Sequence, residues 1–474
     1  MKRSKRLCIL LGVLAVACVA TFALSRYQAH QEQIETSGEV VLEIPVDSVQ
    51  ALSWEYDGEE LAFHKDDKWI YDEDEAFPVD GEKIEGLLEQ FSAMAAAFII
   101  ENPEDLSPYG LSDPTCSIVI TTDEETYTIL LGGYSTMDSQ RYVSIGDGNV
   151  YLVADDPLDD YDVGLRDLLD PDDIPAFDQV SEITFTGSEN YQIFYEAYED
   201  GSTRTYCADD VYFAQLEDGT LPLDTDKVTS YLQTIHYLDV SDYVTYNVTD
   251  EELAQYGLDD PELTIQVDYV TENEDGDEVT ETFTLHISRD PDELAKAKQE
   301  ESESEEEDAE EEEITAYMRV GDSPIVYRLY SESYSSLMRA SCDDLRHSEL
   351  LTADFADITQ IDISLDGSDY TITTDGSGDD RTYTYLETEV EIDDFRDAME
   401  SLQADSFTDE SPAQKEEISL TLHLDNEAFP TVEIGLYRYD GSSCLAVVDG
   451  VPTALVERSQ VVDLLEAVNA IVLN

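Results

Sequence analysis

The sequence predicts an α+β protein of tandem repeated modules, each a mostly antiparallel sheet with one packed amphipathic helix, preceded by an N-terminal transmembrane helix. Three observations carry this expectation. Two blocks of residues return later in the chain in the same order and at nearly equal offsets. The segments around them alternate apolar and polar residues with the period of strands, broken once per copy by a helical stripe. At the start, a basic cluster runs directly into an uncharged apolar stretch.

The first repeated block is Phe77-Pro78-Val79-Asp80-Gly81-Glu82-Lys83-Ile84, which returns as Leu221-Pro222-Leu223-Asp224-Thr225-Asp226-Lys227-Val228. The second runs from Leu106 through Tyr109-Gly110-Leu111 to Asp113-Pro114 and returns from Leu253 through Tyr256-Gly257-Leu258 to Asp260-Pro261. Between the blocks, Asp80 and Asp224 are suited to cap a helix by accepting from first-turn amides. After them Ile84, Leu87, Leu88, Phe91 and Met94 fall at helical spacing, matched by Val228, Tyr231, Leu232, Ile235 and Leu238. A third, weaker stripe is formed by Phe395, Ala398, Met399 and Leu402. Five apolar side chains on one face, each contributing about 1.5–3 kcal/mol when buried, suffice to dock such a helix on a sheet.

Strands flank each helix. Val49–Trp54, Val180–Phe185 and Ile358–Ile363 precede it. Cys116–Ile120 and Thr126–Leu131 follow in the first copy, Leu263–Val267 and Thr282–Ile287 in the second, the latter pair joined through Asp275-Gly276, a favoured hairpin turn. A last hairpin carries Tyr142–Ile145 and Val150–Val153, echoed by Tyr317–Val320 and Val326–Leu329. The unit therefore reads as strands, one helix, then a meander.

These landmarks divide the chain into a basic tail (1–6), a transmembrane anchor (7–24), a stalk (25–41), module one (42–170), module two (171–352) and a degenerate module three (353–474). Lys2, Arg3, Lys5 and Arg6 precede the run Leu7–Leu24, whose residues as a helix would rise about 27 Å, enough to cross a hydrocarbon core. The charge bias predicts a single-pass cell-membrane protein with its bulk on the extracytoplasmic side. An uncleaved anchor, a cleaved signal and lipidation at Cys18 are alternative fates of this segment. Within module two, residues 291–313 are expected to be a disordered acidic insertion, because almost every position from Glu300 to Glu313 is acidic and cannot contribute to a core.

The charge balance bears on partners. Against 111 acidic residues stand 24 basic ones, a net charge of −87. Such a chain repels nucleic acid, whose phosphates demand Lys and Arg, and gathers divalent cations only diffusely.

Signs of catalytic chemistry are missing from the sequence. Cys116, Cys207, Cys342 and Cys444 are widely spaced and form no CxxC pair, so they read as buried thiols rather than a zinc or redox site. Of His30, His64, His236, His286, His347 and His423, none stand at i, i+4. His347 has Cys342, Asp343 and Asp344 nearby, a neighbourhood that chance supplies in so acidic a chain. No nucleophile elbow or P-loop occurs, and Gly132-Gly133 reads as a turn. Thr271 and Thr282 occupy positions where a calcium loop from 271 needs Asp and Glu. No catalytic, cofactor or metal residue is therefore assigned. Trp54, Tyr56, Trp69 and Tyr71 cluster on two adjacent strands and form a candidate contact surface for a sugar or a protein, with a core face as the alternative.

The order of strand pair, "KWIYD", "FPVD", amphipathic helix and "LSPYGLSDP" resembles the bacterial family catalogued as domain of unknown function 4340, in tandem copies. Copy one, from Val49 to Val153, fits best. Copy two keeps both landmarks but lacks the Trp, and copy three has lost Tyr-Gly-Leu. The resemblance implies an envelope protein that accompanies subunits of an ABC-type export system. The function expected is thus a non-catalytic, envelope-anchored accessory or scaffold protein. The alternatives are an extracellular module binding wall glycan or peptide, and a carboxylate-dependent hydrolase.

Overall fold

Alternation decides the strands, with one irregularity that all three modules share. In Val49–Tyr56 the buried residues are Val49, Leu52 and Trp54, so the first step is three residues instead of two. A bulge between Val49 and Ala51 accounts for it. The same shift recurs between Val180 and Glu182 and between Ile358 and Gln360. It turns Ile183 and Phe185, and Ile361 and Ile363, onto the core face in turn.

The structure is a computed structural model describing residues 38–199, 202–216, 219–273, 275–303, 313–376 and 381–473. It comprises two compact units, one ending at Asp172 and the other beginning at Asp173. The first holds one nine-stranded antiparallel sheet: β1 (Glu39–Leu42), β2 (Val49–Tyr56), β3 (Glu59–Lys65), β4 (Trp69–Tyr71), β5 (Met94–Ile100), β6 (Cys116–Thr122), β7 (Thr126–Ser135), β8 (Gln140–Ser144) and β9 (Val150–Val153). Their spatial order is β1-β5-β9-β8-β7-β6-β2-β3-β4.

The second unit holds two more sheets. One contains β10 (Val180–Gly187), β11 (Tyr191–Tyr195), β12 (Tyr212–Leu216), β13 (Gly219–Pro222), β14 (Tyr243–Thr245), β15 (Leu263–Glu272), β16 (Glu278–Arg289), β17 (Ala316–Val320) and β18 (Val326–Leu329). The other contains β19 (Ile358–Leu365), β20 (Ser368–Asp375), β21 (Thr382–Tyr385), β22 (Thr388–Val390), β23 (Ala404–Phe407), β24 (Glu416–Leu424), β25 (Thr431–Arg438), β26 (Ser443–Val448) and β27 (Val451–Glu457). Their orders are β13-β12-β11-β10-β15-β16-β17-β18-β14 and β22-β21-β20-β19-β24-β25-β26-β27-β23. Eight strands correspond one for one across the three sheets. The third module, which keeps least of the repeated sequence, retains the whole strand order. All six edge strands are short, at three or four residues.

The module helices are Gly81–Glu89, Thr225–His236 and Asp393–Glu400. Asp80 caps the first by accepting from the amides of Glu82 and Lys83, and Asp224 caps the second through Asp226 and Lys227. Every residue of the three expected stripes is buried. The first helix is shorter than its stripe: Phe91 lies in the turn and Met94 opens β5.

Several expectations are corrected. The basic tail and the apolar run 7–24 lie outside the described residues. Among the described residues no helix is long and apolar enough to cross a membrane. The longest, Arg458–Val472, has 15 residues, short of the roughly 20 that a bilayer requires. The fold class is therefore corrected to three α+β modules of antiparallel sheet, with no membrane helix among the described residues. The single-pass topology, the extracytoplasmic placement, the membrane as partner and the envelope-anchored role rested on such a helix and are set aside, and with them the transporter association that the family resemblance implied. The stalk is also corrected at its end, where Glu39–Leu42 pairs with β5 as the sheet's edge strand. In the acidic insertion, Pro291–Glu303 is helical, with Asp290 accepting from the amides of Asp292 and Glu293, and residues 304–312 lie outside the described residues.

Candidate functional site

The aromatic row does not form a surface. Trp54 is 2% exposed, Trp69 3% and Tyr71 6%, and Tyr56 is half-buried. Trp54 stacks on Phe63 at 5.6 Å and meets Tyr161 edge-on at 5.4 Å, and Phe63 continues to Tyr71 at 5.3 Å. The register explains this, since Leu52, Phe63 and Tyr71 are cross-strand partners on the covered face. The contact-surface expectation is corrected to a core.

The repeated motifs are likewise committed to internal contacts, with the same geometry in both copies. Lys83 Nζ donates to the carbonyl of Asp167 (2.7 Å), and the amide of Asp80 donates to Leu168 O (2.9 Å), fastening the helix start to the segment that closes module one. In module two, Lys227 Nζ donates to Arg346 O and Ser348 Oγ, both at 2.8 Å, and the amide of Asp224 to Leu345 O at 3.0 Å. In the Tyr-Gly-Leu turn, Gly110 has φ +72° and Gly257 φ +69°. The Gly110 turn lies on the bulged end of β7: a Cβ there would sit 2.7 Å from the amide nitrogen of Gly133. Tyr109 packs on Tyr142 and Tyr256 on Tyr317, both with ring centroids 5.1 Å apart. Beneath the first turn, buried Arg141 donates to Asp156 and to Gly132 O (2.7 Å).

Burial disfavours the thiolate at all four described cysteines, two of them fully buried and two half-buried. Burial pushes Cys116 up to about 12, and Cys207, Cys342 and Cys444 up to about 11. Among the histidines, His64 bonds to Asp72, His423 to Asp362, His286 to Thr264, and His236 to the carbonyls of Ile174 and Pro175.

His347 differs, because three carboxylates surround it. It lies on the segment joining modules two and three within the second unit. There Leu350 N donates to Leu402 O and Ala404 N to Ser348 O, while Tyr206, from the loop between β11 and β12, packs on the third core. His347 Nε2 donates to Oδ1 of Asp210 at 2.7 Å, and Asp210 is only 1% exposed. The other Asp210 oxygen accepts from Thr205 Oγ1 at 2.5 Å. On the open side, His347 Nδ1 is 4.0 Å from Glu349 Oε2. One donor atom each from Asp224, His347 and Glu349 lies within 4.8 Å of the others. Burial alone would lower the pKa of this imidazole, but the hydrogen bond to Asp210 and the charges of Asp210, Asp224 and Glu349 hold it above the usual value.

Sequence spacing could not find this group. Cys342, the neighbour that spacing offered, is not among the grouped donor atoms. Asp210 and Asp224 reach His347 only through the fold.

A model of the family described as domain of unknown function DUF4340 matches the chain twice, over residues 69–217 and 215–421. The chain belongs to this family. The DUF4340 stretches do not coincide with the sheets. The first begins at Trp69 on β4 and ends beyond β12, so each stretch takes most of one module and the opening strands of the next. No curated protein matches the chain. A solved structure described as "Ca2+-stabilized adhesin helps an Antarctic bacterium reach out and bind ice" is 8% identical over 87% of this chain and 83% of that one. The TM-score between the two is 0.09.

Proposed function

We propose that this DUF4340 chain is a non-catalytic scaffold that works by binding cationic protein partners. One observation carries the reading: the residues repeated between modules one and two, Asp-x-x-Lys and Tyr-Gly-Leu, are occupied in both by corresponding contacts within the module. What the modules share is thus a way of building a sheet, and what they present outward is a dense negative field. The raised thiol pKa values accord with this, since they suppress the thiolate that a cysteine nucleophile requires.

Two measurements test it. Electrophilic probes for serine, cysteine and carboxylate nucleophiles should label the native chain no faster than the urea-unfolded chain. Rapid stoichiometric labelling at one residue refutes the non-catalytic reading. Partners captured without crosslinking at low salt should dissociate as ionic strength rises and the Debye length shrinks to a few ångströms. Partners that persist unchanged in molar salt refute the electrostatic part.

A further inference from the structure

We propose that Asp224, His347 and Glu349 bind one first-row divalent metal ion, with Asp210 as the positioning residue behind the imidazole. What separates this group from the many exposed carboxylates of the chain is the histidine and the carboxylate that orients it. A carboxylate accepts hydrogen bonds, so the Nε2 facing Asp210 carries the proton. In the neutral ring Nδ1 then holds the lone pair, and it faces the open side where Glu349 stands. A histidine that ligates metal through one nitrogen characteristically donates from the other to a carboxylate. Asp210 supplies this from outside the ligand set, on the segment before β12, and it is nearly inaccessible to solvent.

The ligands are held by the backbone. Asp224 is fixed as a helix cap through Oδ1, which accepts from the amides of Asp226 and Lys227 at 3.0 and 3.2 Å, leaving its second oxygen for an ion. Glu349 pairs as a bridge residue with Gln403 of module three. Metal–ligand bonds near 2.0–2.2 Å place tetrahedral donors about 3.3 Å apart. The Glu349 side chain is 41% exposed and has the freedom to close the remaining distance. Lys227, one turn along the helix, donates to Arg346 O and Ser348 Oγ. One imidazole with two carboxylates suits zinc or a neighbouring first-row ion over calcium or magnesium, which prefer all-oxygen sites. A fourth position is left for water. The residue of module one that corresponds to His347 is Asp170, so among the described residues the histidine of this site is found at the second junction and not at the first.

The test uses the full chain in about 0.5 M salt, where diffuse condensation is screened. Titration with Zn²⁺ should show one saturable site, and Co²⁺ in its place should give the visible bands of a coordinated ion. Glu349→Gln and His347→Gln should each weaken binding at least about tenfold, and Asp210→Asn by roughly 10–100-fold. Because the Asp210 variant alters a buried pair, the exposed Glu349→Gln variant decides if it misfolds. Uptake that never saturates near one equivalent, or one-site binding unchanged in both the Glu349 and His347 variants, overturns the proposal. Displacement of Zn²⁺ by an equal concentration of Ca²⁺ overturns it as well.

Discussion

Replacing Gly110 by Ala should destabilise the first unit by two separable effects. At φ +72° an L-residue costs about 1–2 kcal/mol. The new Cβ would also lie 2.7 Å from Gly133 N and 3.3 Å from its Cα. Those are backbone atoms, so a strand end must move, at a further cost of about 1–3 kcal/mol. The total is about 2–5 kcal/mol, or a fall in Tm of roughly 5–15 °C for a unit of this size. Gly58 is a matched control: its φ is +82°, but nothing lies within 4 Å of the Cβ it would gain, so Gly58→Ala should cost only the first effect. Gly257→Ala should fall between, because the nearest atom, at 2.6 Å, is the Ser288 hydroxyl, which can rotate, while the Arg289 carbonyl oxygen at 3.0 Å is fixed in the backbone. Tryptophan emission is the assay for the first two, since the only two tryptophans of the chain, Trp54 and Trp69, lie in the first unit. Calorimetry follows the third. If Gly110→Ala and Gly58→Ala lower Tm equally, the turn does not depend on close approach to the end of β7, and this account of the Tyr-Gly-Leu motif fails.

Lys227→Met removes two charge-assisted hydrogen bonds and should destabilise the second unit by about 1.5–3 kcal/mol in urea titrations. Tyr161→Phe loses a buried bond to Leu87 O and should cost about 1 kcal/mol. Glu262 is bound by Arg289 and Tyr334: burial alone would raise its pKa, but those bonds hold it below its ordinary 4.5. Its contribution is therefore full above that pH and lost as pH falls through the lower folded value, so Glu262→Gln should flatten the acid limb of a stability–pH curve. Acrylamide should quench the native tryptophans weakly, as their burial requires; quenching as strong as for free indole would contradict it.

Patterns governed by local geometry were legible in the sequence. The stripe Ile84–Leu88 and the caps Asp80 and Asp224 are decided within one helical turn, and each is found as expected. The left-handed backbone at Gly110 and Gly257 is found in the structure at an equally local turn. Strand alternation put Trp54 and Tyr56 on one face of their strand, but it could not say which face the helix covers. The length of the first helix was overestimated because Met94 keeps helical spacing after the chain has already turned. The cluster at His347 was illegible, since Asp210 approaches it through tertiary structure alone.

The short edge strands matter for how such a chain reaches its native state. Three copies of one strand order on a single polypeptide compete for each other's partners while the chain is still emerging, and swapped pairing is the characteristic failure of tandem repeats. An edge of three or four residues offers a misplaced neighbour too few backbone bonds to outlast correct closure. Each sheet thus finishes with an end that cannot template the next.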